Sequence, residues 1–179
     1  MTDSNRNIVV AVRDAINGHR ALQRALTFAR CGTDTIHLVH ARRLVDLTRV
    51  AELLQPRWTN IDEVETTDDA WLDALAVDAR VQGHLVQCTT LSGGPASAVT
   101  DYARESRADL IVVASPREGL AHELFLGSTA LRILRNANCP VLVVRNELTE
   151  PYRCTLVAIG FDAAAKRLIA ATSKFFAQT

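Results

Sequence analysis

A short stretch late in the chain combines the residue types that bind phosphate. The tripeptide Gly127–Thr129 directly precedes a helical pattern, and the loop before it follows an apolar run at Leu110–Ala114. Free backbone N–H groups and the positive end of the helix dipole both favour an anion at a helix start. Ser128 is predicted to be the N-cap, because its hydroxyl can accept a hydrogen bond from one of these N–H groups. The pattern therefore predicts an anion site at the start of this helix.

Five apolar runs are predicted to form the sheet that positions this helix. They are Asn7–Val12, Thr35–Ala41, His84–Leu91, Leu110–Ala114 and Val141–Val144. Continuous β-branched runs of this kind are typical of parallel strands buried on both faces. Helical patterns lie between them, and strand–helix–strand units of this length form right-handed crossovers. The predicted fold class is α/β, with a five-stranded parallel, doubly wound sheet and helices on both faces.

The stretch from residue 109 to residue 145 resembles the C-terminal half of the universal stress protein family. The ATP-binding loop of that family has a glycine, two residues, a second glycine, nine residues, and then Gly-Ser or Gly-Thr. The spacing is intact here, but Ala114 and Arg117 stand in place of the two glycines. Gly127 and Ser128 match the end of the motif, and the helix and the CPVLVV strand that follow also match.

This resemblance implies an adenine-nucleotide-hydrolase-like sheet with strand order 3-2-1-4-5. Ligands of such sheets bind outside the carboxyl ends of the strands at the switch point, which here lies between the first and fourth strands. The residues expected at the cofactor site are Arg13, Asp14, Ala41, Ala114, Ser115, Arg117, Gly127, Ser128 and Thr129. The implied cofactor is ATP, with Mg²⁺ only where ATP is bound, and no separate metal site is predicted.

Three departures from the family pattern meet at this predicted site. Ala114 and Arg117 lack the backbone freedom of glycine, and Pro116 has no N–H to donate. Arg13 stands where the family commonly has an aspartate near the adenine, and Asp14 follows on the other face of the strand. Arg117 either offers its guanidinium to phosphates or occupies their space or lies in solvent. The departures predict that ordinary ATP binding is weakened or lost.

The sequence shows no set of residues typical of an enzyme active site. His37 and His40 are three residues apart on a predicted strand, so they point to opposite faces and cannot share a metal. Ser128 is not part of a G-x-S-x-G elbow, and the four cysteines form no C-x-x-C pair. These features favour a binding protein over an enzyme.

Composition bounds the partners. Lys+Arg and Asp+Glu number 20 each, so the net charge is zero and no basic block indicates nucleic-acid binding. No apolar run approaches the roughly 20 residues that cross a bilayer, and the N-terminus lacks the apolar segment of a signal peptide. We expect a cytoplasmic protein that binds neither nucleic acid nor membrane.

The chain continues beyond the predicted family domain at residues 5–146. After a linker at 147–152, an apolar run at Cys154–Ile159 and a helical pattern carrying Leu168, Ile169 and two phenylalanines repeat the order of the first strand and helix. Residues 153–179 are therefore predicted to be a partial second repeat, with its first strand and helix only. This organisation suggests a truncated member of the tandem-domain proteins that the family includes.

The expected function is that of a cytoplasmic universal stress protein that acts by binding and association in a stress response. The alternative is an ATP-binding switch with slow hydrolysis or autophosphorylation, as the resemblance implies for some members. A homodimer is expected, either through the last strand, Val141–Arg145, or through the C-terminal remnant. A third possibility is a scaffold that binds another protein through Phe175 and Phe176.

Overall fold

The computed structural model describes residues 5–42, 61–115, 127–146, 152, 154–160 and 163–176. The chain divides into two compact units, Met1–Asn146 and Glu147–Thr179. The partial second repeat proposed for residues 153–179 stays a prediction.

The first unit is built on a parallel five-stranded sheet. Its strands are β1 (Asn7–Val12), β2 (Thr35–Arg42), β3 (Leu85–Ser92), β4 (Leu110–Ala114) and β5 (Val141–Val144). All neighbouring strands run parallel, and their order is β3-β2-β1-β4-β5. The predicted fold class and strand order are confirmed.

Helices cover both faces of this sheet. They are α1 (Ala15–Leu26), α2 (Ile61–Val81), α3 (Pro95–Glu105) and α4 (Ser128–Asn136). On one face, Val9 and Ile111 of the central strands pack with Val99 of α3 and Ile133 of α4 in a fully apolar cluster. Because side chains alternate along a strand, Ile8 and Val10 point to the opposite face, where α1 and α2 lie.

Close packing of α1 against the sheet depends on one glycine. A Cβ atom at Gly18 would lie 2.9 Å from Cγ1 of Val12 and 2.8 Å from Cδ2 of Leu75. Both distances are shorter than a van der Waals contact, so only glycine lets α1 approach β1 and α2 this closely. Asp14 caps this helix and Ala15 begins it.

The second unit contains the predicted helix but not the predicted strand. Helix α5 spans Ala163–Phe176, whereas residues 154–160 belong to neither helix nor strand. An apolar run alone does not make a strand, because its backbone groups need a neighbouring strand to complete a ladder. Leu168 and Ile169 are 43% and 48% exposed, and Phe175 is buried. Across the described ranges, no helix is both long enough and apolar enough to span a membrane.

Candidate functional site

A cavity of about 290 Å³ lies at the carboxyl ends of β1 and β4, where the strand order reverses. This is the position at which open parallel sheets bind ligands. Its lining residues are Ala11, Val12, Arg13, Asn17, Ala41, Pro95, Val99, Val113, Ala114, Gly127, Ser128, Thr129, Ala130 and Ile133. Six of the predicted site residues therefore line the same cavity.

The start of α4 supplies the polar part of this wall. Gly127 is the N-cap, with φ 78° and ψ 146°, and no side chain caps the helix. The first intrahelical hydrogen bond of the described residues runs from the N–H of Leu131 to the carbonyl of Gly127, over 3.1 Å. The N–H groups of residues 128–130 precede that bond, so they have no carbonyl four residues back within the helix. Three backbone donors are thus available beside the cavity.

Ser128 does not have the predicted N-cap role. It is the first residue inside the helix, and the cap position belongs to Gly127. The reason is the backbone conformation at residue 127, which lies at positive φ with an extended ψ, a region that is essentially restricted to glycine. Because no hydroxyl occupies the cap position, the first N–H groups of α4 stay available to a ligand.

The opposite part of the wall is apolar and built from small residues. Ala11 and Ala41 are the next-to-last residues of two neighbouring strands. Val99 of α3 and Ile133 of α4 line the cavity from the same face of the sheet. Among the lining residues of the described chain, Arg13 is the only one with a charged side chain. That side chain is 80% exposed and lies 3.5 Å from the carboxylate of Asp14. The cavity therefore combines apolar lining residues with backbone donors and one positively charged side chain.

Ala114, which stands in place of the first glycine of the motif, has an ordinary strand backbone. Ala114 pairs with Val144 in the β4–β5 ladder. Among the described non-glycine residues, only Arg107 has a positive φ, so Ala114 adopts a conformation that any residue can take. Ala114 therefore fits its strand position without strain, and the expectation that it costs the loop conformational freedom stays a prediction. Arg117, the other substituted position, lies outside the described residues.

Two predicted site residues, Asp14 and Ser115, lie beside the cavity rather than on its wall. Asp14 caps α1, with its carboxylate accepting hydrogen bonds from the backbone N–H (2.9 Å) and the side-chain amide (2.8 Å) of Asn17. Burial acts to raise the pKa of Asp14, but these hydrogen bonds and the charge of Arg13 outweigh it, so the pKa is lowered. Ser115 is buried, and its backbone N–H donates to the carbonyl of Val144 over 2.8 Å.

Sequence reasoning missed two residues of α1 that belong to this region. Asn17 lines the cavity, and Arg20 is buried below it. With Asp14 they lie at three-residue spacing, which places them on one side of the helix. That spacing was visible in the sequence, but Asn17 and Arg20 were not distinguished from the polar face of an amphipathic helix.

The described residues contain no group of three or more His, Cys, Asp and Glu side chains that could hold a metal ion. His40 is near the cavity, but its Nδ1 lies 3.1 Å from the carbonyl of Val12 and its ring meets Trp71 edge-on at 5.4 Å. His37 lies three residues earlier on the same strand and therefore points to the other face of the sheet. Burial raises the pKa of Cys88 to about 11, so its thiol is protonated at neutral pH.

Comparisons with known proteins agree with this architecture. The family model described as "Universal stress protein family" matches residues 4–145. The universal stress protein MJ0531 of Methanocaldococcus jannaschii is 37% identical over 68 residues, which is 38% of this chain and 40% of that protein. The match thus spans less than half the length of this relative.

Solved structures with low sequence identity share the fold. Hypothetical protein MJ0577 superposes with a TM-score of 0.64 at 17% identity, covering 80% of this chain and 98% of that one. A universal stress protein in complex with cAMP superposes with a TM-score of 0.54 at 21% identity, covering 79% and 98%. At these identities the superpositions establish the fold alone, whereas the family model spans most of the chain. The chain belongs to the universal stress protein family.

Proposed function

We propose that this protein acts in a stress response through binding and association, and that its cavity binds an adenine nucleotide by a single phosphate. The observation that carries this proposal is the start of α4 at the cavity wall. Three backbone N–H groups, at residues 128–130, precede the first intrahelical bond and lie beside the cavity. Three donors at a helix N-terminus match the oxygens of one phosphate group.

The rest of the cavity suits the base and sugar of a mononucleotide. Its floor is apolar and formed by small side chains such as Ala11 and Ala41, which leave room for a flat ring. The volume, about 290 Å³, is at the lower end of the roughly 300–1,000 Å³ typical of small-molecule sites. The cAMP complex of a protein with the same fold supports a ligand that has one phosphate.

Weak binding of ATP follows from the sequence of the loop before α4. Pro116 has no N–H to donate, and Arg117 stands where the family has its second glycine. A triphosphate needs more donors than the three at the start of α4. We therefore propose that ATP binds less tightly than AMP, and that the ATP-binding switch is the alternative function.

Calorimetry with AMP, cAMP and ATP, with and without Mg²⁺, tests this proposal. We expect the wild type to bind AMP and cAMP more tightly than ATP. Arg117→Gly should raise ATP affinity, whereas Ala114→Gly should not, because Ala114 already has an ordinary strand conformation. Binding of AMP and ATP with equal affinity would favour the switch, and absence of binding by all three would refute the nucleotide site.

Two substitutions that each add a negative charge to α4 provide a further test and its matched control. Thr129→Asp places a carboxylate beside the proposed phosphate. Because the two negative charges repel each other, the substitution should weaken AMP binding by about tenfold or more. Asn136→Asp adds the same charge at the far end of the same helix, away from the cavity wall. It should leave AMP affinity within about twofold.

Association is proposed to use the exposed edge of the sheet at β5. This strand is the last in the order β3-β2-β1-β4-β5, so one side of its backbone has no partner strand within the described sheet. A second copy of the chain could add a strand there, and the C-terminal unit is the other candidate surface. Sedimentation velocity of the full chain and of a form ending at residue 146, each with and without AMP, separates the two surfaces.

A further inference from the structure

A buried guanidinium holds together the backbone around the nucleotide cavity. Arg20 on α1 is only 4% exposed. Its Nη1 donates to the carbonyl of Arg145 over 2.9 Å, and its Nη2 donates to the carbonyl of Ser115 over 3.0 Å and to the side-chain oxygen of Asn17. One side chain therefore contacts the chain just after β4, just after β5 and in the first turn of α1.

The partners of Arg20 continue to the rim of the cavity. Asn17 accepts from Arg20 through Oδ1 and donates through Nδ2 to the carboxylate of Asp14. A guanidinium only donates and a carboxylate only accepts, so this pair of contacts fixes the orientation of the Asn17 amide. Buried Arg20 therefore donates to Asn17, and Asn17 in turn donates to Asp14 beside the cavity.

Two of the groups that Arg20 contacts are part of the cavity wall or directly adjoin it. Asn17 lines the cavity, and Ser115 directly follows the lining residue Ala114. Moving the carbonyl of Ser115 away from α1 would remove a hydrogen bond from a buried positive charge. That is costly, since hydrogen bonds to charged groups are stronger than neutral ones.

We propose that Arg20 is a positioning residue for the ligand. It holds the backbone that directly follows β4, and the Asn17 side-chain amide, in place relative to α1. This inference rests on the proposed nucleotide function for its binding readout, but not for its structural readout. The rigid, planar fork of arginine suits the task, because several donors reach three acceptors at once from one fixed plane. A lysine in its place has a single ammonium group at the end of a flexible stem.

The test compares Arg20→Met with Arg24→Met. Arg24 lies one turn later on the same helix and is buried to the same degree, at 5% exposed. Neither arginine lines the cavity, but Arg20 donates a hydrogen bond to Asn17, which does. Two quantities are measured, the affinity for AMP by calorimetry and the hydrogen exchange of the Ser115 amide, which donates to Val144. Arg20→Met should weaken AMP binding by at least about tenfold and speed exchange at Ser115, since it removes hydrogen bonds from a charged donor. Arg24→Met should leave AMP affinity within about twofold.

The outcomes separate this inference from the nucleotide function. If the wild type binds no nucleotide, exchange at Ser115 alone decides, and faster exchange in Arg20→Met but not in Arg24→Met supports the positioning role. Equal effects of the two variants, or no effect of Arg20→Met on either quantity, overturn it. If Arg20→Met does not fold, Arg20→Lys is compared instead, and it should show a smaller change in the same two quantities. Wild-type behaviour of Arg20→Lys in both would overturn the role of the planar fork.

Discussion

The two ends of the sheet both contain buried arginines, but the arginines have different kinds of partner. At the amino ends of β1 and β2, Arg6 and Arg30 lie 2.6 and 2.7 Å from the carboxylate oxygens of Asp34, which is fully buried. At the carboxyl ends, Arg20 donates to two backbone carbonyls and an amide oxygen. In the first arrangement two guanidinium groups contact one carboxylate, and in the second the hydrogen bonds of one guanidinium join separate backbone segments.

At the amino end, the Asp34 carboxylate accepts hydrogen bonds from backbone groups as well as from arginine side chains. The backbone donors are the N–H groups of Arg6 (3.0 Å) and Arg30 (2.8 Å). Burial acts to raise the pKa of Asp34, but the hydrogen bonds from Arg30 and Arg6 outweigh it and hold the pKa well below its usual range. Arg6 also donates to the carbonyl of Phe28 over 2.7 Å. The charged groups at this end of the sheet thus bind one another and the backbone, which indicates a structural role.

At the carboxyl end of the sheet, backbone donors at the start of α4 face the proposed ligand site. The first N–H groups of α4 lie on a cavity wall instead of being capped by a side chain. The comparison places a charge-paired cluster where the strands begin and the proposed binding site where they end. Substitutions at the two ends should therefore affect different measurements.

Replacing Asp34 should have the largest effect on stability. Asp34→Ala leaves Arg6 buried without its carboxylate partner, and removing one member of a buried pair costs about 3–5 kcal/mol. We expect a loss of this size in the free energy of unfolding, measured with urea. Asp101→Ala removes an exposed carboxylate that pairs with Arg104 at 2.8 Å, and it should cost about 1 kcal/mol or less.

Acid denaturation gives an independent check on the same cluster. Because the pKa of Asp34 is lower in the folded protein than its ordinary 3.8, its contribution is fully present above that value and is lost as the pH falls toward the folded pKa. The stability difference between wild type and Asp34→Ala should therefore shrink only below about pH 4. A difference that shrinks at neutral pH, or a loss below about 1 kcal/mol at pH 7, would contradict the structural role.

Local sequence signals predicted the sheet well. The bounds of β1, β4 and β5 coincide with the apolar runs from which they were predicted, because a buried parallel strand needs only a short β-branched run. The run at Cys154–Ile159 has a similar composition but forms no strand. Composition indicates strand propensity, whereas strand formation depends on a partner distant in sequence.

The site was predicted less completely, for reasons that are also non-local. Arg20 has partners 95 and 125 residues away in sequence, so nothing in its own helix reveals that it is buried. The roles of Ser128 and Ala114 depend on backbone dihedral angles, which the residue types alone did not give. At residue 127 a glycine was expected as part of a motif, and the structure supplies the reason, which is its positive φ.

Gly127→Ala should have an intermediate effect on stability and a large effect on binding. At φ 78° and ψ 146° an alanine is strained, and strain of this kind costs on the order of 1–3 kcal/mol. Relaxing it moves the first turn of α4, so AMP affinity should fall together with the free energy of unfolding. The matched control is Gly94→Ala, because Gly94 is the N-cap of α3 but has an ordinary φ of −70°.

These two glycines test whether conformation or side-chain space matters at a helix start. A Cβ atom at Gly94 would meet only the hydroxyl oxygen of Ser97, at 3.1 Å. That exposed side chain, which donates to the Gly94 carbonyl over 2.9 Å, needs only a small shift to make room. Gly94→Ala should therefore cost less than Gly127→Ala and should leave AMP affinity nearly unchanged. Equal losses of stability from the two variants would show that the conformation at Gly127 is not special.

The smallest expected effect concerns His37, a buried histidine on the amino half of β2. Its Nε2 lies 3.3 Å from Oδ1 of Asn7, whose amide nitrogen donates to the carbonyl of Ser106, so Nε2 carries the proton and Nδ1 accepts from the hydroxyl of Tyr102 over 3.1 Å. Burial lowers the pKa of His37 below 6.5. The unfolded chain therefore binds more protons than the folded protein, and stability should fall as the pH drops below 6.5.

His37→Gln removes this titration while keeping a polar side chain. Urea unfolding at a series of pH values between 7.5 and 5 should show a shallower fall in stability for the variant than for the wild type, whose histidine takes up a proton on unfolding. The difference should be small, because the Tyr102 hydroxyl can turn to accept from a protonated Nδ1 and donate to Thr89, whose Oγ1 lies 3.4 Å away. Parallel pH profiles would mean that His37 contributes no pH dependence.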